Sequence, residues 1–202
     1  MIISELSNEY SFVDKIRLGI FFIRTKLFYP GQRLIRFPFN LRGKKMVELG
    51  KGLTTGIGCR IEAFIRDGNK DVKILFGDNV QLNDYVHISA VQSVRIGNNV
   101  LMASHVYISD NSHGSYKGDN HDTSPEISPI QRPYFVAPVT IGDKVWIGEG
   151  VIVLPGVSIG EGSIIGAHSI VNRDIPDNCI AAGSPAKVIK KWDDNLNSWL
   201  KI

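Results

Sequence analysis

The chain has 202 residues, enough for one packed domain with small appendages. An apolar share of 43% excludes a disordered polypeptide, and 23 basic against 20 acidic residues, a formal charge of +3, supply no basic excess for a dedicated nucleic-acid surface. The two cysteines, Cys59 and Cys179, form no CxxC or metal-type spacing, so they read as small core residues of a protein in a reducing, cytoplasmic setting.

Residues 11–29 predict an amphipathic helix. Phe12, Ile16, Ile20, Ile23 and Leu27 recur at spacings of three and four, accompanied by Lys15, Arg17, Arg24 and Lys26. Such a stripe either packs against the rest of the fold or lies on a membrane surface. The apolar run Leu18–Ile23 is too short to span a bilayer, and no secretory leader pattern precedes it. Pro30 and Pro38 then mark an irregular basic segment holding Arg33, Arg36, Arg42, Lys44 and Lys45. Residues 1–46 are read as this helical and basic segment.

From Leu49 an aliphatic or small residue returns at every sixth position: Leu49, Thr55, Ile61; Phe76, Leu82, Ile88; Ile96, Met102, Ile108. The sets are offset, which predicts insertions at corners near 66–73 and 90–93. The period is strictest from Ile141 through Ile147, Val153, Ile159 and Ile165 to Val171, often with Gly next in sequence. A helix needs apolar spacings of three and four, and an ordinary strand alternates by two. A six-residue step fits a parallel β-helix, with one short strand and one corner per step. Residues 47–191 are assigned to this all-β domain. Between Asp110 and Pro138 the period stops, and a loop rich in Gly and Pro carries His113 and His121. A long loop inside a regular scaffold points to function. The last stretch, 192–202, predicts a capping helix with Trp192, Leu196, Trp199 and Leu200 on one face.

The hexapeptide array, the Asp110-Asn111-Ser112-His113-Gly114 loop, the Val145-Trp146-Ile147-Gly148 step and the Ala182-Gly183-Ser184-Pro185-Ala186-Lys187 tail resemble the hexapeptide-repeat acetyltransferases. The nearest branch is that of the lipopolysaccharide and O-antigen sugar O-acetyltransferases, with galactoside and maltose acetyltransferases further off. The resemblance covers roughly residues 47–191. It implies a left-handed parallel β-helix, a homotrimer with active sites between subunits, acetyl-CoA as donor and a carbohydrate acceptor in bacterial surface polysaccharide synthesis.

His113 matches the family's catalytic histidine. An imidazole titrates near neutrality, so it can take a proton from an attacking hydroxyl and return it to a leaving thiolate. Asn83 matches a family position that hydrogen-bonds the acceptor, and an amide suits a hydroxyl-rich ligand. His87, Asp110 and Asn111 join it as candidate acceptor-side residues. Where the galactoside branch has an acidic residue, this chain has Ala90-Val91, so its acceptor contacts differ. The resemblance assigns Gly148, Glu149, Ala167 and Asn172 to the pantetheine arm, with Trp146 beside them. Lys187, Lys190 and Lys191 form a basic cluster for the coenzyme phosphates. His105 and His168 read as structural or peripheral, and His121 as solvated.

No Ser or Cys stands beside the histidine in a nucleophile motif, so transfer is expected to be direct, without an acyl-enzyme. No metal is expected. N-acetylation of a nucleotide-linked amino sugar would use the same base. A γ-type carbonic anhydrase would need a third histidine in its family's pattern, and a pure β-helix scaffold would not need the His-bearing loop.

Overall fold

The computed structural model describes residues 10–66 and 68–202. Short strands stack along three faces of a prism, in sheets of nine, six and five strands, here the first, second and third face. Each turn of chain adds one rung to each face in order. One turn runs Gln81–Leu82, His87–Ala90 and Val94–Ile96. The next runs Leu101–Met102, Tyr107–Ser109 and, past the long loop, Val139–Ile141. The rungs pair in parallel, so like residues stack. Leu82, Met102 and Ile147 adjoin on the first face, Ile88, Ile108 and Val153 on the second, and Ile96, Ile141 and Ile159 on the third. Each of these nine is at most 1% exposed. The sixfold period is therefore the inward register of a parallel β-helix, as expected.

Corners have their own chemistry. The third-to-first corner turns on Asn79, Asn99, Lys144 and Asn178, and the first-to-second corner on Tyr85, His105 and His168, all with positive φ. Asn is the commonest non-glycine residue there because it tolerates the left-handed region. A side chain from each coil also caps the corner of its neighbour. Asp78, Asn98 and Asp143 accept from the backbone N–H of Lys51, Asp78 and Asn98 at 2.7, 2.8 and 2.7 Å. At Gly97 a Cβ would sit 2.7 Å from the Gly142 carbonyl carbon, so only glycine lets these coils approach.

Among the described residues every insertion falls at the second-to-third corner: residues 43–46, 64–66 and 68–73, 91–93 and the long loop 110–138. The base of that loop is a two-stranded antiparallel ribbon, Asn111–His113 against Tyr134–Val136. Its outer part is held by Arg132, whose guanidinium donates to the Ile127 and Pro125 carbonyls and to the Tyr116 hydroxyl.

Two expectations are corrected. The prism begins at Leu34, not at 47: Leu34–Ile35 and Phe39–Arg42 already pair with Thr54–Thr55 and Cys59–Arg60-Ile61-Glu62. Ile35 and Leu41 keep the six-residue step, but the prolines around them obscure it. The C-terminal capping helix does not form. Ala186–Asp193 runs antiparallel to Cys179–Gly183, and Ser198–Lys201 runs back along it. The last rung of the first face presents unpaired N–H and C=O groups, which a strand satisfies and a helix cannot. Trp192 and Trp199 meet edge to face across that hairpin, 5.4 Å between centroids.

The N-terminal helix, α1 (Phe12–Phe28), forms with a capping box between Ser11 and Asp14. It does not pack through its apolar stripe. It docks through Phe21 and Thr25; the Thr25 hydroxyl accepts from Ile35 N–H at 2.8 Å, and Phe21 packs on Phe37. No helix among the described residues is long and apolar enough to cross a membrane.

Ile147→Ala removes a side chain from the middle of the inward stack and should lower unfolding free energy by about 2–5 kcal/mol. The urea midpoint measures it, and an unchanged midpoint would contradict the packing described.

Candidate active site

The second face carries the chemistry because the insertions wall it. Its outward positions align across rungs: Arg60, His87 and Tyr107 in one row, Glu62 and Ser89 with Ser109 in the next. Phe64 and Arg66 from one insertion, Val91 from another, and Tyr134 from the loop rise beside these rows. Together with Asn111, His113, Leu154 and Pro155 they enclose a cavity of about 490 Å³.

His113 is exposed at the cavity's edge on the loop ribbon. Its ring lies 4.7 Å from the Tyr134 ring. Tyr134 is clamped in turn by Arg66, which donates to its hydroxyl at 3.0 Å and lies over its ring. The backbone carbonyl of His113 accepts from the Tyr116 hydroxyl. Position is thus fixed by the ribbon and by aromatic packing.

The floor of the cavity holds a charge cluster that the sequence reading missed. Glu62 is buried, and its Oε2 accepts from Arg60 Nη2 at 2.6 Å and faces His87 Nε2 at 2.9 Å. Burial pulls the His87 pKa below its ordinary value; the Glu62 hydrogen bond opposes that, and the Arg60 charge adds to it. A neutral His87 with its proton on Nε2 donates to the carboxylate, leaving Nδ1 as an acceptor. One signal for Glu62 was available: aligned by repeats, it is a carboxylate where the neighbouring coils place Ser89 and Ser109.

The candidate residues divide between prism edges. His87, Asn111 and His113 share the cavity. Asp110 does not enter it: fully buried, its carboxylate accepts from the backbone N–H of Val91, Gln92 and Ser93 and from the Asn111 amide at 2.7–2.9 Å. It anchors the loop's departure from the corner, with both oxygens of a buried carboxylate hydrogen-bonded. Asn83 lines a different cavity of about 400 Å³, with Asp84 and Ser104 and, from α1, Asp14 and Arg17.

Gly148, Glu149 and Ala167 follow the same first-to-second corner, and Trp146 projects half exposed from the first face. Gly148 has a structural duty, since a Cβ would meet the Ala167 nitrogen at 2.7 Å. Glu149 likewise accepts from Ser104 N–H at 2.9 Å. Asn172 is exposed just past Ile170–Val171, at the other corner. Lys187, Lys190 and Lys191 lie on the terminal hairpin, opposite Ala182, Ile180 and Cys179.

His105 stacks on Tyr85 at 5.1 Å and His168 occupies a left-handed corner; His121 is exposed, 3.6 Å from Asp119. The Cys59 thiol is pushed up to about 11 by burial, which leaves it protonated and unsuited to nucleophilic work. Among the described residues no three His, Cys, Asp or Glu side chains converge to hold a metal ion.

Comparison with known proteins places this geometry. The pattern "Bacterial transferase hexapeptide (six repeats)" matches residues 138–173. Over 98% of the chain, and 99% of the relative, the sequence is 43% identical to the putative lipopolysaccharide biosynthesis O-acetyl transferase WbbJ of Escherichia coli. The chain belongs to the hexapeptide-repeat acetyltransferases. A galactoside acetyltransferase solved in complex with coenzyme A is 32% identical, with a TM-score of 0.54 over 76% of this chain and 69% of that one. AntD, an N-acyltransferase from Bacillus cereus, superposes with a TM-score of 0.66 over 93% of this chain and 91% of that one; at 19% identity it shows the shared fold.

His87 also predicts a pH dependence. Its folded pKa is below the unfolded value near 6.5, so the unfolded chain binds more protons as pH falls through that region, and stability drops on acidification. Melting temperatures from pH 8 to 5 should decline less steeply in His87→Gln; parallel curves would show that His87 is not the titrating group.

Proposed function

We propose that this acetyltransferase moves the acetyl group of acetyl-CoA to a sugar hydroxyl in bacterial surface polysaccharide synthesis, with His113 as general base. The observation that carries this reading is the placement of His113 at the edge of an insertion-walled cavity, on a chain 43% identical over 98% of its length to a putative lipopolysaccharide O-acetyl transferase. The hydroxyl proton passes to the His113 imidazole as the oxygen bonds to the thioester carbonyl carbon. A backbone N–H stabilises the tetrahedral oxyanion. The C–S bond then breaks, and the imidazolium returns its proton to the thiolate. No acyl-enzyme intervenes.

The Glu62 carboxylate and the His87 Nδ1 supply two acceptors for the sugar's remaining hydroxyls, His87 on the same strand as Ala90, where the galactoside branch keeps its acidic residue nearby, and Glu62 one coil below. Asn111 adds an amide at the cavity wall. The winding is left-handed and the protein is a cytoplasmic homotrimer, as family membership implies. Trimer formation accounts for the split between edges. The corner with Asn83, Gly148, Glu149 and Ala167 faces the His113 cavity of the next subunit, and the pantetheine arm runs between them past Trp146 and Asn172. Lys187, Lys190 and Lys191 meet the coenzyme phosphates as point charges.

His113→Ala should lower kcat by about 10²–10⁴-fold while coenzyme A affinity, measured by calorimetry, stays within about twofold. Near-normal turnover would eliminate this base. The split site makes a second prediction. His113→Ala and Asn83→Ala subunits, each nearly inactive alone, should recover about one quarter of wild-type activity when unfolded and refolded together in equal amounts, because one interface in four then holds both intact residues. No recovery would place both residues in a single protomer's site.

A further inference from the structure

Helix α1 turns its apolar stripe away from the protein. Phe12 is 78% exposed, Ile16 and Ile20 51%, Ile23 60% and Leu27 70%, whereas Phe21 and Thr25, on the opposite side, are buried. At about 100° per residue the five exposed side chains fall within one contiguous strip along the outer surface. Val13 widens it at the N-terminal end. Lys15 and Lys26 border the strip on one side, and Arg17 and Arg24 on the other. Arg24 stacks on Phe37 at 3.9 Å, and Lys26 donates to the Gln32 carbonyl at 3.0 Å, so both bases are held at the margins rather than across the strip. The one carboxylate in the helix, Asp14, sits on the docked side and is engaged in the capping box.

We infer that α1 is a membrane-surface anchor that seats the enzyme on an anionic bilayer. An apolar strip flanked on both sides by bases is the arrangement that lies in the plane of a lipid interface, with the strip among the acyl chains and the cations at the headgroups. A second copy of the chain is the poorer occupant. Helix against helix across this strip would set basic margin against basic margin in either direction, a repulsion that anionic lipid converts into attraction. The other side of α1 lines the Asn83 cavity through Asp14, Arg17 and Phe21. Seating the helix therefore puts that cavity about one helix diameter, ~10 Å, from the lipid surface.

Vesicle co-sedimentation of the full chain tests the inference, with phosphatidylcholine vesicles containing about 30% phosphatidylglycerol against pure phosphatidylcholine. The expected result is binding to the anionic vesicles only, weakened when salt is raised to about 0.5 M. The triple variant Ile16→Ser, Ile20→Ser, Ile23→Ser should bind at least about tenfold less while keeping its melting temperature, since none of the three is buried. Should the triple variant misfold, Ile20→Ser alone supplies the same comparison with a smaller loss. Absence of vesicle binding would overturn the proposal, as would equal binding to neutral vesicles. A wild-type assembly in light scattering that loses subunits in the variant would also overturn it, by assigning the strip to contact between copies.

Discussion

Register between stacked rungs is the constraint on which the structure depends. Parallel strands at a spacing of about 4.8 Å bring each residue directly over its counterpart one coil away. Side chains at the inward positions, most of them aliphatic, then fill the prism with columns of like residues, such as Ile88, Ile108 and Val153. A polar side chain turned inward needs a backbone partner, as Thr55 has in the Arg36 N–H and Ser163 in the Pro176 carbonyl, and one extra residue within a rung would turn all later side chains inside out. Length variation is therefore confined to corners.

That confinement made room for a site. Two corners are occupied by tight left-handed turns and by side chains that cap the neighbouring coil, which leaves no freedom for insertions. The remaining corner accepts them in successive coils, so they stack. Arg66 and Tyr134 come from insertions far apart in sequence, yet they meet there and hold the ribbon that carries His113. Asp110 supplies the other anchor, gripping three backbone N–H groups of the coil beneath. The loop is rigid where it meets the scaffold, and its histidine stands at the rim of a walled cavity.

The same logic explains the floor of the site. Outward residues on a solvent-facing strand are ordinarily free to vary. Covered by insertions, Glu62 is buried and must be paired, and Arg60 and His87 pair it. The result is a polarised group lining the same cavity as the proposed base, with a histidine whose pKa is lowered chiefly by its burial.

The sequence by itself determined the parallel β-helix, its inward residues from Leu49 to Val171, the corner insertions and the importance of the His113 loop, because a six-residue period admits few other folds and its interruption is easily seen. The resemblance in the loop and tail pointed to an acetyltransferase. Contacts between residues distant in the chain were not legible. The Glu62 cluster, the burial of Asp110 and the division of Asn83 from His113 depend on which coils lie side by side and what covers them. The first coil was hidden by prolines. The terminal strands won over an equally amphipathic helix only because an open sheet edge was waiting for them. The apolar stripe of α1 was visible as a pattern, but its direction was decided by the docking of Phe21 and Thr25, since periodicity describes a face and tertiary packing chooses what that face meets.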